Sequence, residues 1–366
     1  MRDERGMRGT RGTEDPRGGG GPGGTGDTGG VGGAGGTGSS GATGSAPDPF
    51  AEAAAAERRA MVRRIEAVGA LRDPAWRAAF AEVPRHLFVP AYYVPGPAGY
   101  ERLWSGDPDP ARRARWLRGA HQDTALATRV RDGELVSSAS QPSLMARMLE
   151  ALGPGDGHDV LEIGAGTGYN AALLGHRLGD GHVTTVDLDE EITESARAHL
   201  AAAGHRPAVL TGDGARGCRE RAPYDRIVAT CEMPAIPAGW LAQCRPGARI
   251  LAPLSTGLIL LTVRGPDHAE GRFLATSAYF VPLRGGGARP PGQRSAEPYP
   301  EVYDDEAGFL AGLAGQALEP REALTLWHHE GRPERERFGV TLRAGRQWAW
   351  LDDPEGPHAW PLPDYA

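Results

Sequence analysis

Residues Val160–Asn170 read VLEIGAGTGYN. An apolar, strand-forming run carries an acid near its tip, glycines follow at 164, 166 and 168, and a helix-forming run starts directly after. Glycine lets the chain turn tightly and lets a ligand approach the backbone without meeting a Cβ. The spacing is G-x-G-x-G, not the G-x-G-x-x-G of dinucleotide sites. Glu162 suits a ligand bearing an ammonium group rather than a pyrophosphate.

The pattern extends outward from this loop. DVLEI (Asp159–Ile163), HVTTVD (His182–Asp187), PAVLTG (Pro207–Gly212) and YDRIVAT (Tyr224–Thr230) predict buried strands. Tyr169–Leu178, Glu190–Ala203 and Pro237–Cys244 predict helices, and ARILAPL and LILLTV an apolar strand pair. Strands alternating with helices imply βαβ crossovers. The predicted fold is α/β, a Rossmann-like, doubly wound, mostly parallel sheet over residues 151–283, with its ligand crevice at the carboxyl ends of the strands.

Residues 50–150 predict a helical N-terminal, substrate-side segment. Met61, Ile65, Val68 and Leu71 stand at helical spacing, interrupted near Pro74. VPRHLFVPAYYVP (Val83–Pro95) is proline-punctuated, residues 96–120 read as irregular, and a short stretch from Asp123 reaches a turn at Gly133. A helix is expected over Leu144–Leu152. Residues 284–366 predict a linker (RGGGARPPGQR), then an accessory domain with a helix around Glu306–Leu318 and a tryptophan-rich β tail. Residues 1–49 are glycine-rich without apolar periodicity, which predicts a disordered tail.

The net charge of -7 is interspersed, which argues against a nucleic-acid partner. No apolar run is long enough to span a membrane, and no secretory h-region is present, so a cytoplasmic location is expected. Every basic residue other than histidine is arginine, which removes Schiff-base and P-loop lysines. Cys218, Cys231 and Cys244 are too dispersed for a zinc site or disulfide framework, and no metal is expected. His86 reads as a packed residue and Cys231 as a small buried one.

Asp187 closes the second strand, placed to accept both hydroxyls of a ribose. GDG (Gly212–Gly214) puts Asp213 within reach of an adenine amino group, and Thr230 stands at the rim of the same crevice. Each acid alone is as easily a helix cap. Three strand-end acids in register with one nucleoside point to S-adenosylmethionine.

The order VPRHLFVP, SSASQPSLMARML, VLEIGAGTGYNAALL, GDGARG, YDRIVATCEMPAIPAGWLAQCRPGARILAPL resembles the protein-L-isoaspartate O-methyltransferases over about residues 80–255. The resemblance implies a class I fold and S-adenosylmethionine as cofactor. It implies that Glu162, Gly164, Gly166, Thr167, Gly168, Asp187, Leu188, Asp213, Gly214 and Thr230 hold the cofactor, and that Ser140 of S-Q-P stands beside the substrate carboxylate. Ser140 is preferred to Ser137 and Ser138 as the contact. From the residues alone, Ser140 reads as a helix N-cap before Leu144 rather than as a substrate contact. The longer segment before Ser137 and the appended tail depart from the compact repair enzymes. That layout resembles an actinobacterial subfamily of ribosomal-peptide maturation, accompanying graspetide or lanthipeptide synthetases. It implies an Asp or isoAsp peptide substrate, a methyl ester closing to a succinimide (aspartimide), and a peptide synthetase as partner. General protein repair and a non-catalytic peptide-docking protein on the same fold are the alternatives. A carboxylate is already ionised at neutral pH, so the reaction asks for positioning and no general base.

Overall fold

The computed structural model describes residues 49–285, save 97, 98 and 132, and residues 305–364. The glycine-rich stretch up to residue 48 and most of the expected linker lie outside the described residues. Helices α1 (Ala51–Ala67), α2 (Pro74–Glu82) and α3 (Arg85–Phe88) lead into β1 (Ala91–Gly96) and β2 (Gly99–Trp104). Then come α4 (Pro110–Ala120), β3 (Leu126–Arg131), β4 (Glu134–Ala139) and α5 (Pro142–Leu152). The nucleotide-type core is β5 (Val160–Ile163), α6 (Tyr169–Leu178), β6 (Val183–Asp187), α7 (Glu190–Ala202), β7 (Ala208–Thr211), β8 (Tyr224–Ala229) and β9 (Cys244–Leu254). It continues through β10 (Gly257–Gly265), β11 (His268–Ser277), α8 (Asp305–Leu313), α9 (Pro320–His329), β12 (Phe338–Arg343), β13 (Arg346–Leu351) and β14 (Ala359–Pro361).

The main sheet runs β14-β13-β12-β11-β10-β9-β8-β5-β6-β7. Strands β7, β6, β5, β8 and β9 are parallel, as predicted, and order reverses between β5 and β8, where such sheets open their crevice. From β9 onward every pairing is antiparallel. Side chains alternate across the sheet: Leu161, Ile163, Ile227 and Ala229 pack with Trp240, Phe309 and Trp327 on one face. Val160, Val228 and Leu251 pack under α1, α2, α5, α6 and α7 on the other.

Several expectations need correction. Residues 96–120 are not irregular: Asp109 caps α4 through Ala111 N at 2.9 Å, and Trp116, Leu117 and Ala120 bury one face of that arginine-dense helix. The N-terminal segment is not only helical, since β2-β1-β3-β4 form an antiparallel sheet with Gly133 (φ 82°) turning β3 into β4. The run before Cys244 is a 3-10 helix, Ala238–Gln243, and β9 starts at once. The boundary at 283/284 is not a break in the sheet, because β12 pairs with β11 and the tail extends the same layer. No helix among the described residues is long and apolar enough to cross a membrane.

Candidate active site

Strand β5 ends in the glycine loop at the switch point. Gly164 has φ 94° and Gly168, which precedes α6, has φ 85°. A Cβ on Gly164 would stand 2.6 Å from Thr230 Oγ1, whose hydroxyl donates to the Gly164 carbonyl at 2.8 Å. The loop is therefore pinned to the tip of β8. The Gly166 N–H donates to Asp187 Oδ2 at 3.2 Å, tying the same loop to the tip of β6. Thr167 and Gly168 shape the loop from behind: Thr167 Oγ1 accepts from Tyr169 N at 3.4 Å, and its carbonyl meets His199 Nδ1 at 3.0 Å.

The acids differ in their surroundings. Glu162 is fully buried, and Asn170 Nδ2 donates to its Oε1 at 2.7 Å. Its Oε2 is buried, has no hydrogen bond within 3.5 Å among the described residues, and has the Thr185 hydroxyl as its neighbour. Burial pushes the carboxyl up to about 7, with Thr185 and Asn170 opposing and nearby Asp187 adding to the rise. Asp213 Oδ1 accepts from Ala215 N at 3.0 Å and so caps a short 3-10 turn. Asp187 has a cationic neighbour, Arg284, whose Nη2 lies 3.6 Å from Oδ1 and whose Nη1 lies 3.7 Å from Asp189 Oδ2.

One cavity gathers Ser140, Gly164, Gly166, Asp187, Leu188, Gly214 and Thr230 from among the predicted residues. Glu162, Thr167, Gly168 and Asp213 stand outside its lining. It also takes in Ser137, Ser138, Cys231 and Val281–Arg284, which the sequence reading did not place there. Ser137 and Ser138 reach the cavity because the end of β4 passes over Gly166. The Val281–Arg284 strap is held by Leu283 N to Glu232 O at 2.7 Å and Glu232 N to Val281 O at 2.9 Å. Its one available signal was the apolar VPL preceding the glycine-rich stretch. Burial raises the Cys231 thiol, and His86 is packed against His121 and Trp116.

Ser140 follows β4 and precedes α5. The N-cap of α5 is Gln141 with no side-chain cap, and Asp123 Oδ1 accepts instead from Ser143 N at 2.8 Å. The capping reading of Ser140 is therefore set aside. Its hydroxyl makes no hydrogen bond among the described residues, while its carbonyl accepts from Arg85 Nη2 at 3.1 Å.

A glycine loop closed to a Cβ at Gly164, a carboxylate tip on β6 and a buried carboxylate on β5 fit a nucleoside bearing an ammonium group. Fold and site together are those of a class I S-adenosylmethionine-dependent methyltransferase. The model of the Protein-L-isoaspartate(D-aspartate) O-methyltransferase family matches residues 112–286. The protein-L-isoaspartate O-methyltransferase of Hyperthermus butylicus is 32% identical over 62% of this chain and 88% of its own length. That of Methanopyrus kandleri is 34% identical over 62% and 91%. A solved protein-L-isoaspartate O-methyltransferase superposes with a TM-score of 0.55 at 22% identity, over 78% of this chain and 96% of its own. The chain belongs to the protein-L-isoaspartate O-methyltransferase family.

Proposed function

We propose that this chain methylates the carboxylate of an Asp or isoAsp residue in a peptide, and that the peptide is a modified ribosomal precursor. When bound, S-adenosylmethionine supplies an electrophilic methyl group on a sulfonium sulfur. Glu162 answers the ammonium group, Gly164 and Gly166 the close backbone approach, and Asp187 the ribose hydroxyls. Leu188, Asp213 and Gly214 border the adenine, with Thr167, Gly168 and Thr230 holding the loop. Ser140 donates its hydroxyl to one carboxylate oxygen and leaves the other to attack. As a neutral donor it orients the nucleophile without cancelling its charge, and the cavity walls strip the water that would blunt it.

The observation that carries this reading is the Ser140 hydroxyl, released from capping by Asp123 and lining the same cavity as Gly166 and Asp187. The ester then undergoes attack by the following backbone nitrogen. A C–N bond forms, the C–OCH3 bond breaks, and the amide proton leaves with methoxide as methanol, giving a succinimide. On this reading residues 50–150 are the substrate side and 284–366 an accessory extension. The relatives match about three-fifths of the chain, and both flanks fit a dedicated peptide better than a broad repair duty. A cytoplasmic setting and a peptide synthetase as partner belong to the same reading.

The test is a methyl-transfer assay on a plain isoaspartyl peptide and a cyclised precursor, followed by mass. Methyl gain and then methanol loss on the precursor alone is the expected result. Equal turnover of the plain peptide supports general repair, which the names of the relatives favour. A stable ester refutes the cyclisation.

A further inference from the structure

Arg85 is fully buried beneath the segment that carries Ser140. One nitrogen, Nη1, donates to the carbonyls of Ala120 and, at 3.4 Å, Gln122; the other, Nη2, donates to Ser140 O at 3.1 Å. Its guanidinium also lies 5.8 Å from the centroid of the Tyr169 ring, the residue that follows Gly168 in the glycine loop. The 120–123 stretch is tied to the same place a second time: Asp123 Oδ1 accepts from Ser143 N at 2.8 Å and Oδ2 from Gln141 Nε2 at 3.4 Å.

We infer that Arg85 is a positioning residue for methyl transfer, fixing the Ser140 hydroxyl by holding the Ser140 carbonyl and the 120–122 carbonyls in one planar fork. The inference rests on the reading of Ser140 given above. Among the described residues the Ser140 side chain has no hydrogen bond of its own, so its place is set by its backbone. That backbone lies between the end of β4 and the start of α5, where neither ladder nor helix bonds fix it, and Arg85 supplies the missing anchor. Only a guanidinium presents several donors in a rigid plane; a lysine ammonium on a flexible stem cannot span carbonyls from two segments at once. The Tyr169 contact puts the same group against the cofactor loop, so one side chain registers the acceptor side on the donor side.

The experiment is a double-mutant cycle in the full-length protein with the cyclised precursor peptide as methyl acceptor, using Arg85→Lys, Ser140→Ala and the pair. Arg85→Lys is expected to cut kcat by up to about 10²-fold, the loss that misplacement of order 1 Å produces. The KM for S-adenosylmethionine and the affinity for S-adenosylhomocysteine stay near wild type. On the Ser140→Ala background the same change adds almost nothing, because residues acting through one group are non-additive. Equal losses on both backgrounds, or loss of S-adenosylhomocysteine binding in step with turnover, overturns the inference alone. Full turnover by Ser140→Ala overturns the reading of the site and the inference with it. Should Arg85→Lys fail to fold, Asp123→Ala, on a partly exposed residue, loosens the same anchor and must show the same non-additivity with Ser140→Ala.

Discussion

Replacing Glu162 with glutamine should make the protein more stable and a poorer binder of its cofactor. The carboxyl is fully buried, and burial raises it from 4.5 to about 7, so the folded protein binds this proton more tightly than the unfolded chain. Stability from this group is therefore complete below pH 4.5 and is lost as pH rises through 7. Each pH unit in that interval is worth 1.36 kcal/mol, which makes the whole loss about 3 kcal/mol by pH 8. Glutamine keeps an oxygen for Asn170 Nδ2 and presents its amide to the buried Thr185 hydroxyl beside it. Denaturant unfolding of Glu162→Gln and wild type at pH 5 and pH 8 is the assay. The variant should gain on wild type by about 2–3 kcal/mol between the two pH values, since a small part of the loss is already complete at pH 5. Isothermal titration with S-adenosylhomocysteine should show the opposite: weaker binding by the variant, and wild-type affinity that rises with pH up to about 7 as Glu162 ionises. Parallel stability curves would refute the burial argument, and equal affinities would refute the ammonium contact.

Three further outcomes follow from the same coordinates. Gly164→Ala places a Cβ 2.6 Å from Thr230 Oγ1 on a backbone at φ 94°, and should cost about 1–3 kcal/mol in thermal unfolding. Adding Thr230→Ala should relieve the clash and leave the strain. Arg284→Ala removes a cation that competes for Asp187, and should tighten S-adenosylmethionine binding by no more than about fivefold, as for an exposed ion pair. The neutral S-adenosylhomocysteine should gain less, and the difference should shrink with salt; weaker binding would make Arg284 a cofactor ligand instead. Arg335→Met removes a buried guanidinium that bonds Glu306, Asp305 and Thr256, and should cost about 3 kcal/mol, the low end for breaking a buried pair. Because this joint serves the C-terminal extension, the KM for S-adenosylmethionine should not move.

The parallel core was readable because strands buried on both faces are continuous apolar runs. The strands that escaped are those with one wet or crowded face. GYERLW of β2 and HAEGRFLATS of β11 mix charge with apolar residues, and the arginines of α4 hide its buried side. At the cavity, Gly164, Gly166, Gly214 and Asp187 were readable because they sit at strand tips, where position in sequence fixes position in space. Arg85 was not, since its meaning lies in the meeting of residues 85, 120–122, 140 and 169, which no local pattern encodes. Arg284 stands at the edge of a glycine-rich stretch and so read as linker, although its guanidinium reaches Asp187.

Glu162, Arg85 and Arg335 are charged side chains with almost no exposure, and burying an ion costs several kcal/mol unless it is compensated. Compensation falls toward the cavity. Arg335, which is not among the cavity-lining residues, meets two carboxylates and a backbone carbonyl. Arg85, one segment behind Ser140, is met mainly by neutral carbonyls and keeps Nε without a partner. Glu162, beneath the glycine loop, keeps a carboxylate oxygen with none. Stability alone would favour the reverse, with the poorest-paired charge replaced first by an isosteric neutral group. The gradient makes sense if the missing partners are the ligands of the reaction. Neutralising the two ends of the gradient should then have opposite signs: Arg335→Met destabilises, whereas Glu162→Gln stabilises and disables.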